Sequence, residues 1–150
     1  MEAKDIMTTQ VVTVRPDTSI VEIINLLVEH RISGVPVVDE KGNVVGLVTE
    51  HDLIYKKRLP VSPFLMYHYG EYNLEKIPEE QKKNLCRAEA ADVMTKDVIS
   101  ISEETPVEDV VTLMVEKRVK RVPVLKGNKL VGIVSRRDVL KEIFRLVCWT

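Results

Sequence analysis

Two stretches of the chain carry apolar residues on a helical period. Ile20, Ile23, Ile24, Leu27 and Val28 share one face of a 3.6-residue helix, as do Val107, Val110, Val111, Met114 and Val115. A short β-branched run precedes each, Val11–Val14 and Val98–Ile101, and reads as a strand. After each helix come two more apolar runs joined by a turn. Val35–Val38 and Val44–Val48 flank Glu40-Lys41-Gly42-Asn43, and the second hairpin turns on Lys126-Gly127-Asn128-Lys129. Glycine and asparagine take positive φ readily, as tight hairpins require. A last helix starts at Thr49 in the first half and at Ser135 in the second. The clearest helix start is predicted at Thr105, as N-cap, with Pro106 at N1 and Glu108 at N3.

The two halves are one pattern written twice. Asp5-Ile6-Met7-Thr8 returns as Asp92-Val93-Met94-Thr95, and residues 5–38 match 92–125 at 12 of 34 positions. The second copy loses one residue in its turn. Val45-Gly46-Leu47-Val48-Thr49-Glu50-His51-Asp52 then continues as Val131-Gly132-Ile133-Val134-Ser135-Arg136-Arg137-Asp138. The order β-α-β-β-α, twice, defines a mixed α+β fold. Repeat one covers 1–58, a connector 59–90 and repeat two 91–150. One unit of ~50 residues is marginal alone. The two copies are therefore expected to bury their wide apolar helix faces against each other, as a pseudo-twofold pair with clefts where they meet.

Composition narrows the function classes. The chain has 150 residues, 22 basic and 23 acidic, for a net charge of −1. That balance excludes a globally basic nucleic-acid binder and an acidic disordered tail. No apolar run reaches the ~18–20 residues of a membrane span, and no signal peptide is visible, so a cytoplasmic location is expected. Cys86 and Cys148 match no metal spacing and read as ordinary thiols. His30, His51 and His68 are too scattered for a metal site. Without a Gly-rich phosphate loop, GxSxG, HExxH or CxxC, no catalytic residue and no metal ligand is assigned, and an enzyme is not expected.

Thr49-x-x-Asp52 and Ser135-x-x-Asp138 read locally as capping boxes, a hydroxyl at N-cap and an acid at N3. Arg136 and Arg137 then occupy N1 and N2, the positive end of the macrodipole, where each cation costs roughly 0.3–1 kcal/mol. Copy one has Glu50 and His51 there. The arginines either point into solvent or serve an anion that uses both their charges and the free N–H groups. From Lys117 to Arg137 lie eight basic residues and no acid; the matching stretch of copy one, His30 to His51, has two basic and three acidic residues. Lys120 and Arg121 replace Ser33 and Gly34 just before Val-Pro-Val. Lys126 and Lys129 flank the turn as solvated charges.

These residues resemble the CBS domain, and the pair resembles a stand-alone CBS-domain (Bateman) module. The resemblance rests on the DxMT opening, the helix ending in His/Lys-Arg, the Gly/Arg-Val-Pro-Val strand and the Val-Gly-Leu/Ile-Val-Thr/Ser-x-x-Asp closing, over about residues 3–58 and 90–146. It implies regulatory binding of adenine nucleotides or related adenosyl ligands in the inter-repeat clefts, and homodimers of pairs. It implies that Asp52 and Asp138 take the ribose diol, with Thr49 and Ser135 beside them, each facing the residues before Val-Pro-Val of the other repeat. One cleft then combines Thr49 and Asp52 with Lys120, Arg121 and Arg137; the other combines Ser135 and Asp138 with Ser33, Gly34 and His51. Arg136 is a further ligand-binding candidate. The cation-rich cleft is expected to take AMP, ADP or ATP. The other would take a less charged adenosyl ligand or stay empty; S-adenosylmethionine and NAD are alternative ligands of the module. The base would sit among apolar residues of the first strand and the Val-Pro-Val strand, Val35 and Val122 included. Thr13 and Ser100 are candidate hydrogen-bond partners or ordinary strand hydroxyls. No cofactor is required.

The connector gathers Phe64, Tyr67, Tyr69 and Tyr72, four of seven aromatics, with Pro60, Pro63 and Pro78. It reads as a segment packed on the core, a lid or a dimer contact, and its sole neutral-pH acid or base is His68. A short helix is expected from Pro78-Glu79-Glu80 to about Ala88. With no effector domain in the sequence, the regulated partner would be a separate chain. The competing readings are a purely dimerising domain and nucleic-acid binding through residues 117–137. The lack of aromatic residues among those cations weakens the second.

Overall fold

The computed structural model describes residues 1–55 and 79–148. The connector aromatics Phe64, Tyr67, Tyr69 and Tyr72, with Pro60, Pro63, Pro78 and His68, lie outside the described residues. The helices are α1 (Ala3–Ile6), α2 (Ile20–His30), α3 (Glu50–Tyr55), α4 (Glu79–Arg87), α5 (Ala90–Val93), α6 (Val107–Lys117) and α7 (Arg136–Cys148). The strands are β1 (Gly34–Val38), β2 (Val44–Thr49), β3 (Arg121–Lys126) and β4 (Lys129–Ser135). This is the expected α+β content, with α4 ending one residue short of the expected Ala88.

The chain divides into two compact units. The first comprises Val12–Asp39 and Val45–Val98; the second comprises Met1–Val11, Glu40–Val44 and Ile99–Thr150. The cut does not follow the repeat boundaries. Each unit is the body of one repeat together with the DxMT opening of the other.

In the first unit α2 opens with Ser19, whose hydroxyl accepts from the Glu22 N–H. The apolar face of α2 buries Ile20, Ile23 and Leu27 against Val14, Val35, Val37, Val48, Ala90 and Val93. β1 pairs with β2. The run Val11–Val14 contributes a single rung. Val14 donates to the Pro36 carbonyl and accepts from the Val38 N–H, so Val14 bridges Val37 in parallel. On the other side Leu47 and Thr95 exchange two backbone hydrogen bonds, at 3.0 and 2.9 Å.

The second unit repeats this plan. Val110 and Met114 of α6 pack with Ala3, Ile101, Val122, Val124, Val134 and Val139. β3 and β4 pair antiparallel, from Arg121 opposite Ser135 to Lys126 opposite Lys129, with a register shift between Val124 and Leu125. Ile101 bridges Val124 in parallel, and Thr8 and Ile133 exchange two bonds of 2.9 Å. The turn glycines Gly42 and Gly127 both have positive φ, +83° and +66°. In both units the first β-branched run is thus one bridging residue rather than a full strand.

The start of α6 differs from the sequence expectation. Pro106 is the N-cap, without a side-chain cap, and the helix begins at Val107. The Thr105 hydroxyl instead accepts from the Ser102 N–H, as Thr18 does from Arg15. Thr105 closes the turn before the helix because its oxygen is already held by the backbone behind it.

Candidate functional site

Both expected capping boxes form. At the start of α3 the Thr49 N–H and hydroxyl donate to Oδ2 of Asp52, at 2.9 and 3.1 Å, and the Asp52 N–H donates back to the Thr49 hydroxyl oxygen. At the start of α7 the Ser135 N–H and hydroxyl donate to Oδ2 of Asp138, at 2.9 and 3.0 Å, and the Asp138 N–H returns to Ser135. Hydrogen bonds to a carboxylate contribute about 1.5–3 kcal/mol each. They compensate Asp52, only 5% exposed, for its lost hydration.

The other oxygen of each carboxylate is held by a residue the sequence reading left unassigned. The Thr95 hydroxyl donates to Oδ1 of Asp52 at 3.0 Å. The Thr8 hydroxyl reaches Oδ1 and Oδ2 of Asp138 at 3.3 and 3.5 Å. Both threonines end a DxMT opening. The signal was present in the sequence as a threonine repeated at the same place in both copies.

The rest of that motif also resolves into contacts. Asp5 and Asp92 accept from the N–H groups of Glu2 and Glu89, closing capping boxes on α1 and α5. Met94 lies over Gly46, where a Cβ would stand 2.5 Å from its sulfur. Met7 lies over Gly132 with the same 2.5 Å spacing. The glycine of Val-Gly-Leu/Ile-Val is therefore the seat of the DxMT methionine.

Within each unit the box sits beside the residues that precede Val-Pro-Val of the same repeat. The Glu50 N–H donates to the Ser33 carbonyl, and the Arg136 N–H donates to the Lys120 carbonyl. Gly34 is buried against Thr49; Arg121 is half-buried opposite Ser135. Lys120, Arg136 and Arg137 are exposed. Two N–H groups of the α7 terminus, those of Arg136 and Asp138, are already bonded within the protein. His51, Thr13 and Ser100 are exposed. Val35 and Val122 are fully buried in their cores, so their side chains serve packing and offer a base no surface.

Beside Asp138, in the second unit, lies a cavity of about 500 Å³ whose wall includes Met7, Thr8, Lys141, Phe144 and Arg145. There the hydrogen bond from Arg145 to Glu142 holds the Glu142 carboxyl below its ordinary range. Among the described residues no group of acids, histidines and cysteines is arranged to hold a metal ion, and no helix is long and apolar enough to cross a membrane. Cys86 and Cys148 are exposed free thiols.

The family described as the CBS domain matches this chain twice, over residues 3–58 and 90–145. An uncharacterised protein of Methanocaldococcus jannaschii, MJ1426, is 33% identical over 155 residues, covering 95% of this chain and 91% of its own length. The inosine-5′-monophosphate dehydrogenase of the same organism is 33% identical over 142 residues, but the chain spans only 23% of it. Among solved structures, CBSX2 of Arabidopsis thaliana in complex with AMP superposes with a TM-score of 0.74 at 26% identity, over 97% of both chains. The CBS domain pair of MJ0100, in complex with 5′-methylthioadenosine and S-adenosyl-L-methionine, superposes at 0.69, with 26% identity over 95% of both.

Proposed function

Because this chain belongs to the CBS-domain family, as a pair of CBS domains, we propose that it is a regulatory module that binds adenosine nucleotides and carries no catalysis of its own. The observation that carries this reading is its likeness to the AMP-bound CBSX2 over 97% of both chains. The local chemistry supports it. Each repeat ends in a fixed carboxylate able to accept hydrogen bonds from a ribose diol, and repeat two adds a concentration of cations.

In this reading Asp52 and Thr49 hold the ribose of an adenosyl ligand, and the cations Lys120, Arg121 and Arg137 favour a ligand that carries phosphates. Asp138 and Ser135 hold a second adenosyl ligand; Ser33, Gly34 and His51 carry less positive charge and suit a less charged one such as S-adenosylmethionine. Thr13 and Ser100, both exposed, supply further hydrogen bonds to the ligands. Ligand binding shifts a conformational equilibrium of the protein, and a separate effector chain reads the shift. The module acts in the cytoplasm.

A homodimer is part of the same reading. Leu140, Phe144 and Val147 stand 66%, 60% and 73% exposed along one face of α7, with Ile143 between them. An apolar stripe at this spacing suits a second copy of the same helix.

Calorimetry with AMP tests the ligand assignment. Wild type is expected to bind. The Lys120→Ala/Arg121→Ala variant is expected to bind on the order of 100-fold more weakly, two charged hydrogen bonds being lost. Unchanged affinity would remove the phosphate assignment. A thermal-shift panel of AMP, ADP, ATP, S-adenosylmethionine, NAD and NADH, with and without magnesium, identifies the ligand by the rise in midpoint. Steeply salt-dependent binding to duplex or single-stranded DNA would favour the nucleic-acid reading instead.

A further inference from the structure

The capping box fixes only one side of each carboxylate. Oδ2 of Asp52 is held by the Thr49 N–H and hydroxyl. Rotation about Cβ–Cγ would still leave Oδ1 free to swing without a second point of attachment. That point is the Thr95 hydroxyl, at 3.0 Å, from a residue 43 positions away. Thr95 is itself held in place, since its N–H and carbonyl both bond to Leu47. With donors on both oxygens the plane of the carboxylate is set before any ligand arrives. A donating hydroxyl also keeps lone pairs, so Thr95 presents an acceptor next to Oδ1.

We infer that Thr95 is a positioning residue that orients the Asp52 carboxylate for a 2′,3′-diol, and that Thr8 does the same, more loosely, for Asp138. This rests on the reading that the two carboxylates bind ribose. The Thr8 bonds are longer, 3.3 and 3.5 Å, and Asp138 is half-buried at the edge of a cavity, whereas Asp52 is buried. The DxMT opening thus acts on a site it does not itself form. It supplies one hydroxyl, aimed by a pair of backbone hydrogen bonds, to the carboxylate of the other repeat.

Calorimetry with AMP and with 2′-deoxy-AMP on wild type, Thr95→Val and Thr95→Ser separates the possibilities. The valine variant keeps the shape and removes the donor. It is expected to bind AMP roughly tenfold more weakly and 2′-deoxy-AMP with a smaller loss, so that discrimination between the two contracts. The serine variant is expected to restore both affinity and discrimination. If Thr95→Val does not fold, as judged by circular dichroism, Thr95→Ala carries the same expectation. Equal AMP affinity in the valine variant and wild type would overturn the inference. So would an equal loss for both nucleotides, which is the mark of a merely structural role. Absence of AMP binding by wild type would instead overturn the underlying reading.

Discussion

The same place in the two repeats is built from different residues. In repeat one Gly34 lies beside Thr49; in repeat two Arg121 lies opposite Ser135. A Cβ on Gly34 would come within 3.1 Å of the Thr49 Cγ2 methyl and 3.0 Å of the Val48 carbonyl oxygen. Serine lacks that methyl, and there the chain carries a full arginine side chain. The two pairs are complementary exchanges, small with large and large with small. The larger residue at 121 stands opposite the smaller one at 135, and that neighbour is the cap of the helix bearing Asp138. The charge of repeat two thus sits at the foot of its carboxylate box, beside the residue that caps α7.

Transplanting the pair is the strongest way to break this comparison. Gly34→Arg in repeat one is expected to destabilise by about 2–3 kcal/mol, from crowding at a buried site. For a chain of this size that lowers Tm by roughly 5–10 °C. Adding Thr49→Ser is expected to recover about 1 kcal/mol, a coupling that a double-mutant cycle in urea would measure. Additive effects would mean that the two exchanges are unrelated.

The parts that follow local rules were legible in the sequence. Helical period placed α2 and α6, the glycine turns placed both hairpins, and Thr49-x-x-Asp52 and Ser135-x-x-Asp138 formed the boxes their spacing implies. The exchange of DxMT openings was not legible, because periodicity reports only which face of an element is apolar. It does not say which distant segment covers that face, and Thr95 meets Asp52 across 43 residues. Repetition itself concealed the exchange, since matching motifs drew each opening to its own copy. The misplaced N-cap at Thr105 has a smaller cause. Its hydroxyl accepts from the Ser102 N–H behind it, and the helix starts one residue later than expected, at Val107.

Where the repeats have not diverged, equal responses are expected. Gly46→Ala and Gly132→Ala each press a methyl onto a methionine, with Cγ at 2.8 and 2.9 Å as well as sulfur at 2.5 Å. A methionine side chain yields in part, so each substitution is expected to cost about 1–2 kcal/mol, the two agreeing within about 0.5 kcal/mol. In a Met94→Ala background the Gly46→Ala penalty should fall by more than half, since only the Cβ of residue 94, at 3.1 Å, remains in the way. Persistence of that penalty would mean that the backbone around Gly46, rather than the methionine, demands glycine.

The smallest expected effect sharpens the comparison most, because it separates geometry from charge. α2 and α6 both end on an arginine in the left-handed region, Arg31 and Arg118, each with φ 53°. A residue with a Cβ pays about 1 kcal/mol there, and glycine does not. Glycine returns part of that gain through the greater freedom of the unfolded chain. Arg31→Gly is therefore expected to stabilise by about 0.5 kcal/mol, near 1–2 °C in Tm. Arg118→Gly relieves the same strain and also removes one cation from the acid-free stretch between Lys117 and Arg137. Its gain should exceed that of Arg31→Gly at low salt and fall to the same value near 1 M salt, where the screening length is about 3 Å. Equal gains at every ionic strength would show that the cations of repeat two do not repel one another measurably in the folded unit.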